Sequence, residues 1–207
     1  TTTAFAQSQS LWTNLGIHGG HVQDIAVDPQ DPDRVFAATY QGKGLFLSMD
    51  GGESWTALEM EGQIEGEDTF NEQSVYAVAI APSDPNIVWV AHNYWLARSV
   101  DGGQTWTHIP NSAIQRDCTD CGGAGDDFRY CLSLAMHPTD ANIVYVGTGG
   151  ALSANTGGAV YATVDGGASW SKRNGGIDLD YRVEDLAVST QNPDTIWAVT
   201  NSNGANG

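Results

Sequence analysis

The chain has 207 residues, with 25 Asp and Glu against 8 Lys and Arg, for a net charge of −17. Neutralising phosphates takes clustered cations, so this balance argues against a nucleic-acid partner, and no run of about 18 apolar residues marks a membrane span. Hydrophobic residues make up 41% of the chain and include seven Trp, enough for a packed core, while 25 Gly point to many tight turns. Charged residues are only 16%, against a typical value of about 25%. The acidity therefore reflects missing cations as much as added acids, and it reads as extracellular solubility or salt tolerance.

At the start, Ala4-Phe5-Ala6 followed by Gln7 matches the small-x-small pattern of a signal-peptidase site, so residues 1–6 read as a signal-peptide remnant and the protein as secreted, periplasmic or cell-surface. Residues 10–15, with Leu11-Trp12-Thr13-Asn14, read as an outer strand with no hairpin before it. Four related units follow. The first, over 21–58, carries Ile25-Ala26-Val27-Asp28-Pro29 and then Val35-Phe36-Ala37-Ala38-Thr39. The second, 74–109, carries Val78-Ala79-Ile80 and Val88-Trp89-Val90-Ala91-His92. The third, 129–172, carries Leu134-Ala135-Met136 and Val144-Tyr145-Val146-Gly147-Thr148. The fourth, partial and spanning 181–201, carries Leu186-Ala187-Val188 and Ile196-Trp197-Ala198-Val199-Thr200. The shared alanines Ala26, Ala79, Ala135 and Ala187 are 53, 56 and 52 residues apart.

A second motif interleaves with the first. It comprises Ser48, Asp50, Gly52 and Trp55; then Ser99, Asp101, Gly103 and Trp106; then Thr163, Asp165, Gly167 and Trp170. The pattern Ser/Thr-x-Asp-Gly-Gly-x-Ser/Thr-Trp has the logic of a hairpin. The Asp and the hydroxyls bond the turn backbone, the glycines permit positive φ, and the Trp closes the hairpin on apolar neighbours. Each unit then holds four short strands: A with the alanine, B with the aromatic, C leading into the hairpin, and D starting at the Trp. Four-stranded antiparallel units repeating every 50 residues or so predict an all-β propeller, here about three complete blades plus part of a fourth. In a ring, the orphan strand at 10–15 would close the last blade and remove an exposed edge.

The hairpin resembles the Asp-box, or BNR repeat, and the resemblance covers the chain from Trp12 to Thr200. Asp-box propellers include sialidases, xyloglucan-active endoglucanases, sortilin-type receptor ectodomains and photosystem II assembly factors. The Ala-x-x-Pro-x-Asp-Pro strand pair is most similar to the sortilin/xyloglucanase branch. The resemblance implies the propeller fold and places the boxes at the blade periphery, so that Asp50, Asp101 and Asp165 are structural. One fold hosts many activities, so function must be argued from the site.

Strand connectivity puts the A–B turns and C–D hairpins at one end of the blades and the variable D–A and B–C loops at the other, where function tends to sit. The D–A loops are 16–21, 59–74, 108–130 and 172–182. Strand B ends in Thr39, Thr148 and Thr200 but in His92 in the second unit, and strand C starts at Gly44 and Ala159 but at Trp95. This break in the repeat makes His92, Asn93, Tyr94 and Trp95, with Tyr40 at the matching corner of the first unit, the candidate ligand contacts. Aromatic faces beside amide and imidazole groups suit a sugar or a peptide. Trp95 is expected to be at least partly exposed.

No metal site or cofactor is expected. Glu59, Glu61, Glu65, Glu67, Asp68 and Glu72 form an acidic loop without a cation-binding spacing, and His18 and His21 lack a third ligand. In an oxidising compartment, Cys131 is expected to pair with Cys118 or Cys121. A sialidase-like site would need an arginine cluster, which is absent. In xyloglucan-active relatives a catalytic Asp follows the Thr that ends strand B of the first blade. That position is Tyr40 here, and the later equivalents are Asn93, Gly149 and Asn201. Asp126, Asp127, Asp178 and Asp180 lie in D–A loops without an evident pair. The leading expectation is a non-catalytic propeller binding a protein or glycan on its variable face. The alternative is part of a glycoside hydrolase of xyloglucanase or sialidase type.

Overall fold

The computed structural model describes residues 17, 20–40, 44–58, 74–92, 96–109, 130–149, 158–173, 175 and 182–201. Among these, no helix is long and apolar enough to cross a membrane. In chain order the strands are β1 (His21–Val27), β2 (Val35–Tyr40), β3 (Leu45–Ser48), β4 (Thr56–Ala57), β5 (Val75–Ile80), β6 (Val88–His92), β7 (Leu96–Ser99), β8 (Thr107–Ile109), β9 (Tyr130–Met136), β10 (Val144–Gly149), β11 (Val160–Thr163), β12 (Ser171–Lys172), β13 (Arg182–Val188) and β14 (Ile196–Asn201). They form three four-stranded antiparallel sheets, β1-β2-β3-β4, β5-β6-β7-β8 and β9-β10-β11-β12, followed by the pair β13-β14.

The register repeats with the sequence. Each shared alanine lies opposite its strand-B aromatic: Ala26 faces Phe36, Ala79 faces Trp89, Ala135 faces Tyr145 and Ala187 faces Trp197. Each A strand also carries a bulge at the same place, between Val22 and Asp24, Val75 and Ala77, and Val183 and Asp185, with the matching irregularity opposite Gly147 and Thr148 in the third sheet. An extra residue there bends the strand. Successive A strands contact one another, β1 with β5, β5 with β9 and β9 with β13, whereas β4, β8 and β12 pack mainly on their own C strands. The A strands thus converge inside and the D strands lie outermost. The fold is the expected β-propeller of four-stranded blades.

The turns follow from their residues. In the A–B turns, Asp31, Asp84 and Asp140 accept the amides of Asp33, Asn86 and Asn142 at 3.2, 3.1 and 2.9 Å. At the C–D end, the Asp101 carboxylate accepts the Ser99 hydroxyl at 2.7 Å, the Thr105 amide at 2.8 Å and the Thr105 hydroxyl at 2.5 Å. Asp50 and Asp165 repeat this arrangement with Ser48 and Ser54, and with Thr163 and Ser169. Strand D starts one residue after the Trp, at Thr56, Thr107 and Ser171. In the first two units the indole folds back over its own turn instead, Trp55 donating to the Gly52 carbonyl at 3.0 Å and Trp106 to that of Gly103 at 3.1 Å.

Packing between blades centres on one contact. A Cβ added to Gly103 would come within 2.9 Å of the Phe36 ring, and one added to Gly167 within 2.7 Å of Trp89. The second hairpin glycine of the second and third blades therefore rests on the strand-B aromatic of the blade before it. Both glycines also hold positive φ, 95° and 96°, which a side chain would strain. Trp170 meets Trp89 edge-on, with centroids 5.9 Å apart. An arginine crosses each of these two junctions above the aromatic. Arg34 lies over Phe36 and donates to the Gly102 carbonyl at 3.2 Å, and Arg98 lies over Trp89 and donates to that of Gly166 at 3.2 Å. Arg34 also bonds the Pro85 carbonyl and pairs with Asp28 at 2.9 Å.

Ser99 locks the second hairpin. Its buried hydroxyl accepts the Gly103 amide at 2.8 Å while donating to Asp101. Ser99→Ala strands that amide and is expected to cost about 1–3 kcal/mol in a urea unfolding series. A variant as stable as the parent would show that the hairpin network does not brace the blade.

Candidate functional site

The two ends of the blades differ in chemistry. At one end the first hairpin glycine of each blade donates its amide to the A–B turn beside it: Gly51 to Asp33, Gly102 to Asn86 and Gly166 to Asn142, at 2.9, 2.9 and 3.0 Å. Repeated turn bonds tie that end together. The hydroxyl of Ser54 leads the contacts that pull Asp50 down to about 2, and Thr105 and Ser169 do the same for Asp101 and Asp165. These carboxylates stay ionised and tied to their own turns.

At the opposite end, Tyr40 closes β2 of the first blade and Tyr76 occupies the extra position of the β5 bulge in the second. Their rings lie 5.7 Å apart at 46°, and both side chains are half-buried. The pair spans the junction between two blades and presents two aromatic faces with two phenolic hydroxyls. Such a surface suits a flat, partly apolar and hydroxylated ligand. Tyr40 was legible from the sequence as a corner residue. Tyr76 was not, because the comparison of units at the B–C corners passed over the A-strand bulge.

His92 lies inside the protein. It ends β6 opposite Val75 and is fully buried, so its ring is not the surface contact that the break in the repeat suggested. The reason is the slot it fills. Thr39 and Thr148 occupy the same slot in the neighbouring blades, and their hydroxyls close the B–C corner on the carbonyls of Gly44 and Ala159 at 3.0 and 3.2 Å. Burial, with a contribution from His108, pushes the His92 imidazole down to about 3, so it is neutral at pH 7. Asn93, Tyr94 and Trp95 lie outside the described residues.

Other candidates resolve as follows. His21 is exposed at the start of β1, while His18 and the acidic loop 59–72 lie outside the described residues. Cys131 is buried in β9, and burial raises its thiol well above the usual range. Both of its expected partners, Cys118 and Cys121, lie outside the described residues. The sequence reading missed Asp24 and Asp185, which hold the same A-strand position as Ala77 and Ser133. The Asp24 carboxylate accepts the Val78 amide of the next blade at 2.9 Å and the Ile25 amide at 2.8 Å. Burial raises its pKa, and the charge of Asp185 adds to this. Comparing the units two residues before each shared alanine would have exposed this pair.

No family model matches the chain. The chain is 30% identical over 185 residues to a curated Paenibacillus xyloglucanase, covering 83% of this chain and 16% of that protein. Among solved structures it resembles an ancestral GH74 enzyme, with a TM-score of 0.67, 20% identity, and 90% of this chain and 24% of the other covered. It also resembles the Dos1 propeller, with a TM-score of 0.50, 10% identity, and 83% and 39% covered. The chain therefore spans about a sixth of that xyloglucanase's length, and the structural likenesses show the fold.

The buried imidazole yields a pH prediction. The unfolded chain protonates His92 near 6.5 and the folded chain near 3. Below 6.5 the unfolded state takes up a proton that the folded state refuses, so stability is full above that value and declines as pH falls toward 3. The expected loss at pH 5 is on the order of 2 kcal/mol. His92→Thr, which restores the residue of the neighbouring blades, should lose correspondingly less between pH 7 and pH 5 in urea unfolding. Equal losses in both proteins would contradict a buried, neutral His92.

Proposed function

We propose that the chain is part of a β-propeller glycoside hydrolase of the xyloglucanase type, and that its loop face holds a glucan chain against Tyr40 and Tyr76. The observation that carries this reading is the tilted tyrosine pair, 5.7 Å between centroids, set across a blade junction at the variable end. Pyranose rings present an apolar face of C–H groups and a rim of hydroxyls, which two phenol rings meet by stacking and hydrogen bonding. The 30% identity to a protein named as a xyloglucanase supports the substrate class. The hairpin bonds support assigning the three hairpins to the Asp-box type, and the likeness to a protein named as a xyloglucanase favours the xyloglucanase over the sortilin side of the branch.

In this reading the described blades contribute binding. Tyr40 stands where the resemblance places a catalytic carboxylate, and a phenol there stacks on sugar instead of transferring a proton to the glycosidic oxygen. Asp24, engaged by two amides, braces neighbouring blades. A purely non-catalytic propeller shares the same binding face but takes second place, because the relatives named above carry a hydrolase name.

Affinity electrophoresis of the purified chain in gels containing xyloglucan tests the reading. The chain should be retarded, and Tyr40→Ala or Tyr76→Ala should each weaken binding by about 2- to 10-fold, the equivalent of one lost aromatic contact of about 0.5–1.5 kcal/mol. Mobility unaffected by xyloglucan, or binding untouched by both substitutions, would overturn it.

A further inference from the structure

Two slots meet at the loop end of the junction between the first and second blades. One is the residue after the corner threonine of strand B, Tyr40, and the other is the extra residue of the next A-strand bulge, Tyr76. The same slots recur between the third and fourth blades with different chemistry. Gly149 follows Thr148 at the end of β10, and Glu184 is the extra residue of the β13 bulge. Arg182, at the start of β13, lies across Gly149. A Cβ at that glycine would come within 2.9 Å of the Leu132 Cδ1 and 3.0 Å of the Arg182 Nε. The glycine therefore makes room for the arginine, and a ring like that of Tyr40 could enter the slot only by displacing it.

Arg182 is placed differently from the arginine that braces the first junction. Arg34 spends its donors on Asp28 at 2.9 Å and on the carbonyls of Gly102 and Pro85. The Arg182 Nε is buried without a hydrogen-bond partner and stands 3.6 Å from the Glu184 Oε1, beyond hydrogen-bond reach. Both side chains are half-buried. A guanidinium only donates and a carboxylate only accepts. Side by side and not bonded to each other, they offer a donor edge next to an acceptor edge. Two neighbouring hydroxyls of one ligand match that arrangement, since each hydroxyl both donates and accepts. The opposite charges offset one another, which favours a neutral ligand over an anion or a cation.

We propose that Arg182 and Glu184, seated over Gly149, form a second contact point for the glucan and bind a pair of its neighbouring hydroxyls. This rests on the reading of the tyrosine pair given above and adds a residue set that selects ligand length and hydroxyl orientation. The tyrosines supply stacking, which tolerates many sugars. The charged pair supplies hydrogen bonds, which are directional and lose their strength when a hydroxyl points elsewhere. The two contact points are separated by the second and third blades. A short oligosaccharide reaches one of them, whereas a longer chain engages both. Once one contact is made the second becomes intramolecular, so the long chain binds more tightly than either contact alone allows.

Titration calorimetry with polymeric xyloglucan and with short xyloglucan oligosaccharides tests the proposal. Arg182→Met keeps an apolar stem over Gly149 and removes the donors. It should weaken binding of the polymer by about 3- to 10-fold and leave binding of the oligosaccharides at the tyrosine pair unchanged. Glu184→Ala, which removes the acceptor without touching the arginine stem, should act in the same direction. Tyr40→Ala should weaken both ligands. Melting followed by circular dichroism confirms that each variant is folded, and Glu184→Ala carries the test if Arg182→Met melts early. Folded variants of Arg182 and Glu184 that bind the polymer as the parent does, while Tyr40→Ala loses affinity, would overturn the second contact and leave the tyrosine reading standing. Equal weakening of polymer and oligosaccharide would also overturn a separate contact. A parent chain that binds neither ligand would overturn both readings.

Discussion

The architecture depends on seating an aromatic ring beneath a glycine of the next blade. Phe36 under Gly103 and Trp89 under Gly167 bring side chain and backbone to van der Waals contact, which no residue with a Cβ allows without a shift. The same glycines hold positive φ and so turn the hairpin. One residue type thus serves two needs, the local turn and the contact between blades. Arg34 and Arg98 bridge the same junctions by bonding the carbonyl of the preceding glycine. Hydrogen bonding and apolar contact converge there on a few atoms, so each blade's position is set by the turn chemistry of its neighbour.

This division explains why the two ends of the blades differ. The hairpin end is tied together by bonds between turns, as in the donation from Gly102 to Asn86. The opposite end is released from that duty. Tyr40 and Tyr76 meet there across a junction whose spacing is fixed from the other end. A rigid scaffold with permissive loops is a common basis for recognition, and here the rigidity traces to named contacts.

Much of the fold was legible in the sequence because its signals were local and repeated. The shared alanines, the strand-B aromatics and the three Asp-Gly-Gly turns marked the order of strands in each unit, and the structure adds the register, with Ala79 opposite Trp89. The site was less legible. His92 broke the repeat, and the break read as function, but the ring fills a buried slot that threonine occupies in the blades on either side. A sequence comparison shows that a position differs, yet only packing shows whether the new side chain points outward. Tyr76 and Asp24 went unseen for separate reasons. Tyr76 is the extra residue of the β5 bulge, where a shift of one residue reverses the facing of side chains and period-two reasoning fails, whereas Asp24 stands in register two residues before Ala26, beyond the stretch over which the units were compared.

The central claim, that ring and glycine hold adjacent blades together as a unit, is tested most directly by a double-mutant cycle on Phe36 and Gly103. Gly103→Ala in the parent suffers both the backbone strain of positive φ and the collision with the ring. In a Phe36→Leu background the collision is relieved and only the strain, about 1–3 kcal/mol, remains. Urea unfolding should therefore show a coupling of about 1 kcal/mol or more, the second substitution costing less once the first is present. Strictly additive losses would mean that ring and glycine act independently and would contradict the account.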